Sequence, residues 1–439
     1  MGLGGDHDAA VVSTLREAAV MVWEESRRLW GIGTPIVVAT VSMYVLGSVT
    51  TIFVGHLGNL PLAAASIGLS VFFTCSFGFL LGMGSALETL CGQAFGAGQV
   101  AMLGVYLQRS WIVLIVAAFL MVPFYVLAEP LLLAIGQDPV VAREAARFAL
   151  YMLPGAFSLA VNFPTAKFLQ AQSKVLVLAW IGVTGLCFHV ALTYLLVTVL
   201  GWGFRGAAAA YDLTLWAIAL GQAAYIIGWC KDGWRGWSMA AFSDMWAFVK
   251  LSLESAVMLC LEVWYLGMIT VLTGHLQDAQ IAVDSLGICM NINGWEFMTF
   301  IGLNAAIRNN FSIIFTSDLE LQHAVSKIAG LLGLTMVINS VQPILSGVAI
   351  GGGWQGLVAY INLGCFYIFG LPLGYLLGYK LNYGVGGIWA GMLCGIALQT
   401  MILLFIVWRA DWNAEAALAS SRVQKWAGTD GTRPLLEDN

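Results

Sequence analysis

Four carboxylates within long apolar runs of this chain are the candidates for chemistry: Asp212, Glu254, Glu262 and Glu296. An ionised carboxylate inside such a run costs about 2.5–3.5 kcal/mol when the run enters lipid, so it is rarely decorative. Glu262 lies deepest, within Met258-Leu259-Cys260-Leu261-Glu262-Val263-Trp264-Tyr265. Desolvation there favours the neutral form, so this carboxyl could load and release a proton. The competing reading is a structural interhelical hydrogen bond. Tyr265, one helical turn on, is placed to hydrogen-bond Glu262. Glu296 follows the polar patch Asn291-Ile292-Asn293-Gly294-Trp295 and faces either a cavity or a partner helix. Glu254 and Asp212 sit nearer the ends of their runs, where snorkelling to water is the simpler reading. The other motifs carry less. Gly201, Gly203 and Gly206 have GxGxxG spacing but lie between two apolar runs. A dinucleotide loop needs a strand before it and a helix after it, so an inter-span turn is expected instead. The five histidines are scattered, with no metal-binding cluster, and His56 and His275 read as solvated turn residues. The eight cysteines form no CxxC pair and read as small buried hydrophobes. No Walker A motif is present, which argues against ATP-driven work. The sequon Asn310-Phe311-Ser312 should lie too close to a bilayer to be glycosylated.

The elements that must position these residues follow from composition. The chain has 439 residues, of which 60% are hydrophobic and 10% charged, and its mean hydropathy is +0.85. Soluble chains run near roughly 45–50% apolar and about 25% charged. That gap excludes a soluble enzyme, a nucleic-acid binder and a disordered protein. Net charge is −5, with no basic run that would suit a polyanion. No charged residue occurs between Leu29 and Leu87, which is room for two spans broken at Gly55–Pro61. Further apolar runs lie near 110–134, 145–168, 175–199, 206–230, 250–273, 281–307, 322–349, 355–379 and 385–408. Eleven spans are therefore expected, in an all-α polytopic membrane protein, since the runs are long and lack strand alternation. Residues 1–30 form a polar leader without the short apolar core of a signal peptide. The segment from Lys231 to Lys250 mixes charges with Trp234, Trp237 and Trp246 and reads as an interfacial linker.

The two halves resemble each other. Gly55-His56-Leu57 recurs as Gly274-His275-Leu276, an offset of 219. Later the offset is 180 at Asp138 and Asp318 and then 181: Tyr194-Leu195-Leu196 matches Tyr375-Leu376-Leu377, and Gly203, Gly206 and Ala209 match Gly384, Gly387 and Ala390. The second half is thus shorter by about 39 residues, the size of one span and its loop, lost near Arg308–Asn310. Paired membrane repeats mark secondary transporters. With the N-terminus in the cytosol and the lost span restored, 14 basic residues, Arg109 among them in a loop, fall inside and 5 outside, as the positive-inside rule requires. With eleven spans, everything after Arg308 inverts. Either the last three spans are upside down, or a segment near 308–321 re-enters, or the chain cannot assemble as its relatives do.

These residues resemble the MATE (multidrug and toxic compound extrusion) transporters, in detail the plant detoxification branch. The resemblance rests on Phe53-Val54-Gly55-His56-Leu57-Gly58, Glu88 through Gly98, Val257 through Tyr265, Asp284 through Trp295, Asn339-Ser340-Val341-Gln342-Pro343, Gly351-Gly352-Gly353-Trp354-Gln355 and Lys425-Trp426. It implies two six-helix lobes around a V-shaped cavity, with H⁺, or in some relatives Na⁺, exchanged for organic solutes. The expected divisions are an N-lobe at 31–231, a linker at 232–249, a five-helix C-lobe at 250–409 and a cytosolic tail at 410–439. The family's ninth helix is missing at 308–310. The resemblance gives Glu262 the proton-coupling role and makes Pro35 the hinge of the first helix. Tyr265, Asn293, Glu296, Gln342, Asn339, Gln93 and Ser66 are the expected cavity residues, and Asn339 stands where some branches carry Asp. The implied activity is antiport of flavonoid-, alkaloid- or xenobiotic-like solutes by a monomer in the vacuolar or plasma membrane. It needs no metal or other cofactor and has no nucleic-acid partner. The alternatives are a transport-incompetent short form and a lipid or oligosaccharide flippase of related fold.

Overall fold

The computed structural model describes residues 15–96, 99–134, 136–243, 245–273, 334–335, 338, 341–411, 414–415 and 417–418. Among these residues the regular structure is entirely helical. Helix α1 (Leu15–Gly55) is continuous through Pro35. Helix α2 (Asn59–Ile67) passes through a π-helical turn at Gly68–Phe73 into α3 (Thr74–Gly96). Then come α4 (Met102–Val126), α5 (Ala128–Ala134), α6 (Pro139–Tyr151), α7 (Leu153–Ala171), α8 (Val175–Thr193) and α9 (Gly203–Trp229). A short 3₁₀ turn at Met239–Phe242 leads into α10 (Met245–Thr273). The second half continues with α11 (Val341–Gly351), α12 (Gln355–Asn362), α13 (Leu371–Tyr375) and α14 (Gly384–Arg409). Seven stretches of the described residues are long and apolar enough to cross a bilayer. Helices α7, α10 and α11 lie on three further runs, while the run near 281–307 falls outside the described residues.

Two of the expected runs have different limits in the structure. The run near 110–134 is α4 and α5, and it begins eight residues early, so Arg109 lies inside a helix rather than in a loop. Arg109 is almost fully buried, and the linker makes this possible. Its guanidinium donates to Ala240 O at 2.9 Å and to Ser243 Oγ at 3.3 Å. Gln108 holds the same linker through Gly236 O and Ser238 N, both at 2.9 Å. The run near 145–168 is split at Met152, where Pro154 opens α7 without an N–H to continue the previous helix. Asp138 caps the preceding helix, α6, by accepting from Val140 N and Val141 N.

The internal repeat is visible as geometry. A π-helical turn closes α8 at Tyr194–Val199, and another sits at Leu376–Lys380, at the same register in the second half. The turns that follow also match: Gly201 and Gly203 have φ of 65° and 58°, while Asn382 and Gly384 both have 56°. Left-handed backbone suits Gly and Asn, the two residue types found here. Gly206 then packs on Leu196 O and Gly387 on Leu377 O, where an added Cβ would come within 3.0 Å and 2.7 Å. The GxGxxG spacing is therefore the backbone of a tight turn between spans.

Large apolar side chains such as Trp180 (70% exposed) and Tyr360 (77%) project outward along the spans, as lipid-facing residues do. The largest buried cluster joins α1, α3, α4, α7, α8 and α9 and takes in Phe248 and Ala256 of α10. Helix α3 meets α10 so closely at Gly82 that a Cβ there would lie 2.6 Å from Ala256 Cα. Small residues allow such contact between membrane helices. A separate cluster, centred on Tyr265, Phe366 and Trp389, forms the core of the C-lobe.

Candidate functional site

Glu262 stands beyond the midpoint of α10 and is half-buried. Gln342 of α11 donates Nε2 to Glu262 Oε1 at 3.4 Å and to Ser346 Oγ at 3.2 Å. The same stretch of α10 is gripped from the other side. Asn362 Nδ2 donates to Met258 O at 3.3 Å, and Tyr367 OH to Leu261 O at 2.9 Å. Gln399 of α14 donates to Asn362 Oδ1 at 2.6 Å. Two side chains thus hold the backbone just before Glu262, one of them braced by Gln399, and one amide touches its carboxyl. That amide can bond either protonation state of the carboxyl, accepting from a carboxylic acid or donating to a carboxylate. Among the described residues no cation pairs with Glu262.

Tyr265 does not make the expected bond to Glu262. Its hydroxyl donates to Met392 O at 3.3 Å, and its ring stacks on Phe366 with centroids 4.5 Å apart. Bare backbone at Gly370 and Gly395 admits the hydroxyl to α14, so the ring is drawn into the C-lobe core. Tyr265 is 1% exposed. Ser66 lies on α2 and is exposed, and Pro35 is buried within α1. Asn293, Glu296 and Asn339 fall outside the described residues, as do His275 and the 308–310 junction.

Gln93 belongs to a second polar group, where the two lobes meet. Thr89 Oγ1 donates to Ile350 O at 2.7 Å, and Gln355 Nε2 donates to Thr89 Oγ1 at 2.6 Å. Gln93 Nε2 donates to Gly351 O at 3.2 Å. Glu88, beside them, pairs with Lys167 at 2.6 Å. Glu254 pairs with Lys250 at 4.0 Å and lies against Gly356, as a snorkelling carboxylate would. Lys167 and Lys250 thus both lie at this end of the molecule. The turn between α11 and α12 lies beside the C-terminal end of α3 and the start of α10.

Asp212 departs from the expected snorkelling. It is 7% exposed, and its Oδ1 has no hydrogen-bond partner. The carboxyl fills the place of a side chain at Gly155 of α7. It lies ten residues into α9, because that helix starts at Gly203, ahead of the apolar run. A fully buried His189 was not singled out from sequence either. The signal was its spacing from Thr193, four residues on along one helix face. Among the described residues no group of three His, Cys, Asp or Glu is placed to hold a metal.

Comparison with known proteins places these features in a family. A family model described as MatE matches residues 35–195. Protein DETOXIFICATION 35 of Arabidopsis thaliana is 52% identical, over 97% of this chain and 96% of the relative. Protein DETOXIFICATION 34 of the same plant is 50% identical, over 96% of this chain and 85% of the relative. Among solved structures, the eukaryotic MATE transporter AtDTX14 superposes with a TM-score of 0.85 at 30% identity. That match covers 91% of this chain and 99% of the other. A MOP superfamily transporter from Pyrococcus furiosus shares the fold, with a TM-score of 0.73 at 15% identity.

Proposed function

The chain belongs to the MATE family of multi-pass membrane transporters, and from that premise we propose that it exchanges organic solutes for H⁺ through Glu262. MATE proteins are transporters rather than enzymes, and they handle small organic solutes. The observation that carries the coupling role is the setting of Glu262. A carboxyl held in mid-span by one amide, with no described cation partner, can exist with or without its proton. Protonation removes the charge that would hold a cationic or polar solute and shifts the lobes toward the state that releases it. The substrates are flavonoid-, alkaloid- or xenobiotic-like, and the membrane is vacuolar or plasma. Pro35, inside a continuous α1, is the hinge of the first helix. Glu262→Gln is the test. In proteoliposomes with an imposed pH gradient, the variant should lose proton-driven uptake while its yield and thermal unfolding stay unchanged. Undiminished gradient-driven uptake would remove Glu262 from the mechanism.

We further propose that the family's ninth helix is absent at 308–310. The shift in repeat offset supports this. So does the alignment to the 52%-identical relative, which runs over 468 positions and so exceeds the 439 residues available here. In the structure the α11–α12 turn lies beside Thr89. Restoring the relative's ninth helix between Ile307 and Arg308 should raise transport. Equal transport by both forms would show that the missing segment is dispensable.

A further inference from the structure

A separate chemistry sits in the N-lobe, beyond the role of Glu262. His189 of α8 is 0% exposed. Its Nε2 lies 3.1 Å from Thr50 Oγ1 of α1, and its Nδ1 lies 3.2 Å from Thr214 Oγ1 of α9. Each hydroxyl has a single proton, and each spends it on a main-chain carbonyl. Thr50 donates to Leu46 O at 3.0 Å, and Thr214 donates to Ala210 O at 2.7 Å. With the protons so placed, both oxygens face the ring as acceptors. A neutral imidazole brings one N–H and an imidazolium brings two. Only the protonated ring supplies a donor to both threonines. A third hydroxyl, Thr193 Oγ1, lies 3.5 Å from Nε2 and can donate to that nitrogen once it is bare.

We propose that His189 is a proton-binding site of the N-lobe, its charged form tying α1 to α9 and its neutral form letting go of α1. The surroundings suit reversible occupancy. From α9 the titratable neighbour is Tyr211, whose ring meets the imidazole edge-on at 5.8 Å. Asp212, next in sequence, turns its carboxyl to Gly155 of α7. Helix α7 carries one titratable side chain, Lys167, already paired with Glu88. Helix α1 brings Tyr44, which is exposed. Among the described residues His189 has no ion pair. The charged ring has hydrogen-bond acceptors but no described counter-ion, so it is held weakly and its proton can exchange.

The test is nuclear magnetic resonance of the full chain in lipid bilayers, with nitrogen-15 in the histidine rings, from about pH 3 to about pH 8. The chain has five histidines. The His189 signals are identified by their loss in His189→Gln and, independently, by their displacement in Thr214→Val, which keeps the ring. Both ring nitrogens should carry protons at the acid end, and Nε2 should be bare at the alkaline end. Thr50→Val removes one acceptor and should move that transition to lower pH. A single bare nitrogen across the whole range would overturn the proposal, as would a transition that Thr50→Val leaves in place.

Discussion

Replacing Thr89 by Val should open the seam between the lobes. The change keeps the shape of a side chain that is 2% exposed and removes its hydroxyl. Two hydrogen bonds go with it: the one to Ile350 O at 2.7 Å and the one from Gln355 at 2.6 Å. Gln355 keeps its bond to Ile350 O at 3.3 Å, so that carbonyl stays paired. Each lost bond is worth about 1 kcal/mol net. Both cross from α3 to the α11–α12 region, so they exist only while this end is shut. About 2 kcal/mol leaves the closed arrangement alone, a shift of about 30-fold toward opening. Gly92 and Gly351 offer positions for spin labels, since a Cβ at either meets nothing within 4 Å. With the exposed Cys187 and Cys394 changed to Ser, pulsed electron resonance between labels at 92 and 351 reads the separation directly. The wild-type pair should give one short distance, and Thr89→Val should add a longer population. An unchanged distance distribution would show that these bonds do not hold the seam.

Three further outcomes follow from the packing. Gly206→Ala and Gly387→Ala each drive a Cβ onto a carbonyl of the preceding span, and each should cost about 1–3 kcal/mol in thermal unfolding. One tolerated and one lethal substitution would break the equivalence of the two turns. Arg109→Met should free the linker around Ala240 and Ser243, costing about 1.5–3 kcal/mol, and should speed proteolysis between residues 231 and 243; an unchanged cleavage rate would deny Arg109 its anchoring role. Asn362→Leu removes the link between Gln399 and the Met258 carbonyl. It should lower the unfolding temperature by about 1–3 kcal/mol equivalent, because Gln399 is left unpaired in the interior.

Much of this architecture was legible because lipid is an undemanding solvent to predict. Long uncharged runs allow few folds, and the repeat at an offset of 181 exposed the paired turns before any coordinates. What could not be read was direction around a helix axis. Tyr265 is adjacent to Glu262 in helical spacing, yet bare backbone at Gly370 and Gly395 made a deeper place for its ring. Asp212 looked close to a water-facing end because Gly203-Phe204-Arg205 does not look like the start of a span. Arg109 looked like a loop residue because its partners, Ala240 and Ser243, are 131 and 134 residues away. Charge placement in a membrane depends on such distant acceptors, and hydropathy along the chain does not record them. His189 escaped for the same reason, since Thr50 is 139 residues distant.

The matched π-helical turns bear on ancestry. A π turn holds a surplus residue that an α-helix of the same rise would not contain, and such a surplus enters a gene as an insertion. Tyr194–Val199 and Leu376–Lys380 hold theirs at one register, followed by the same left-handed pair of residues. Two independent insertions at equivalent sites are less economical than one inherited twice. The widened turn therefore predates the duplication and belonged to a half-sized ancestor whose two copies would have had to pair.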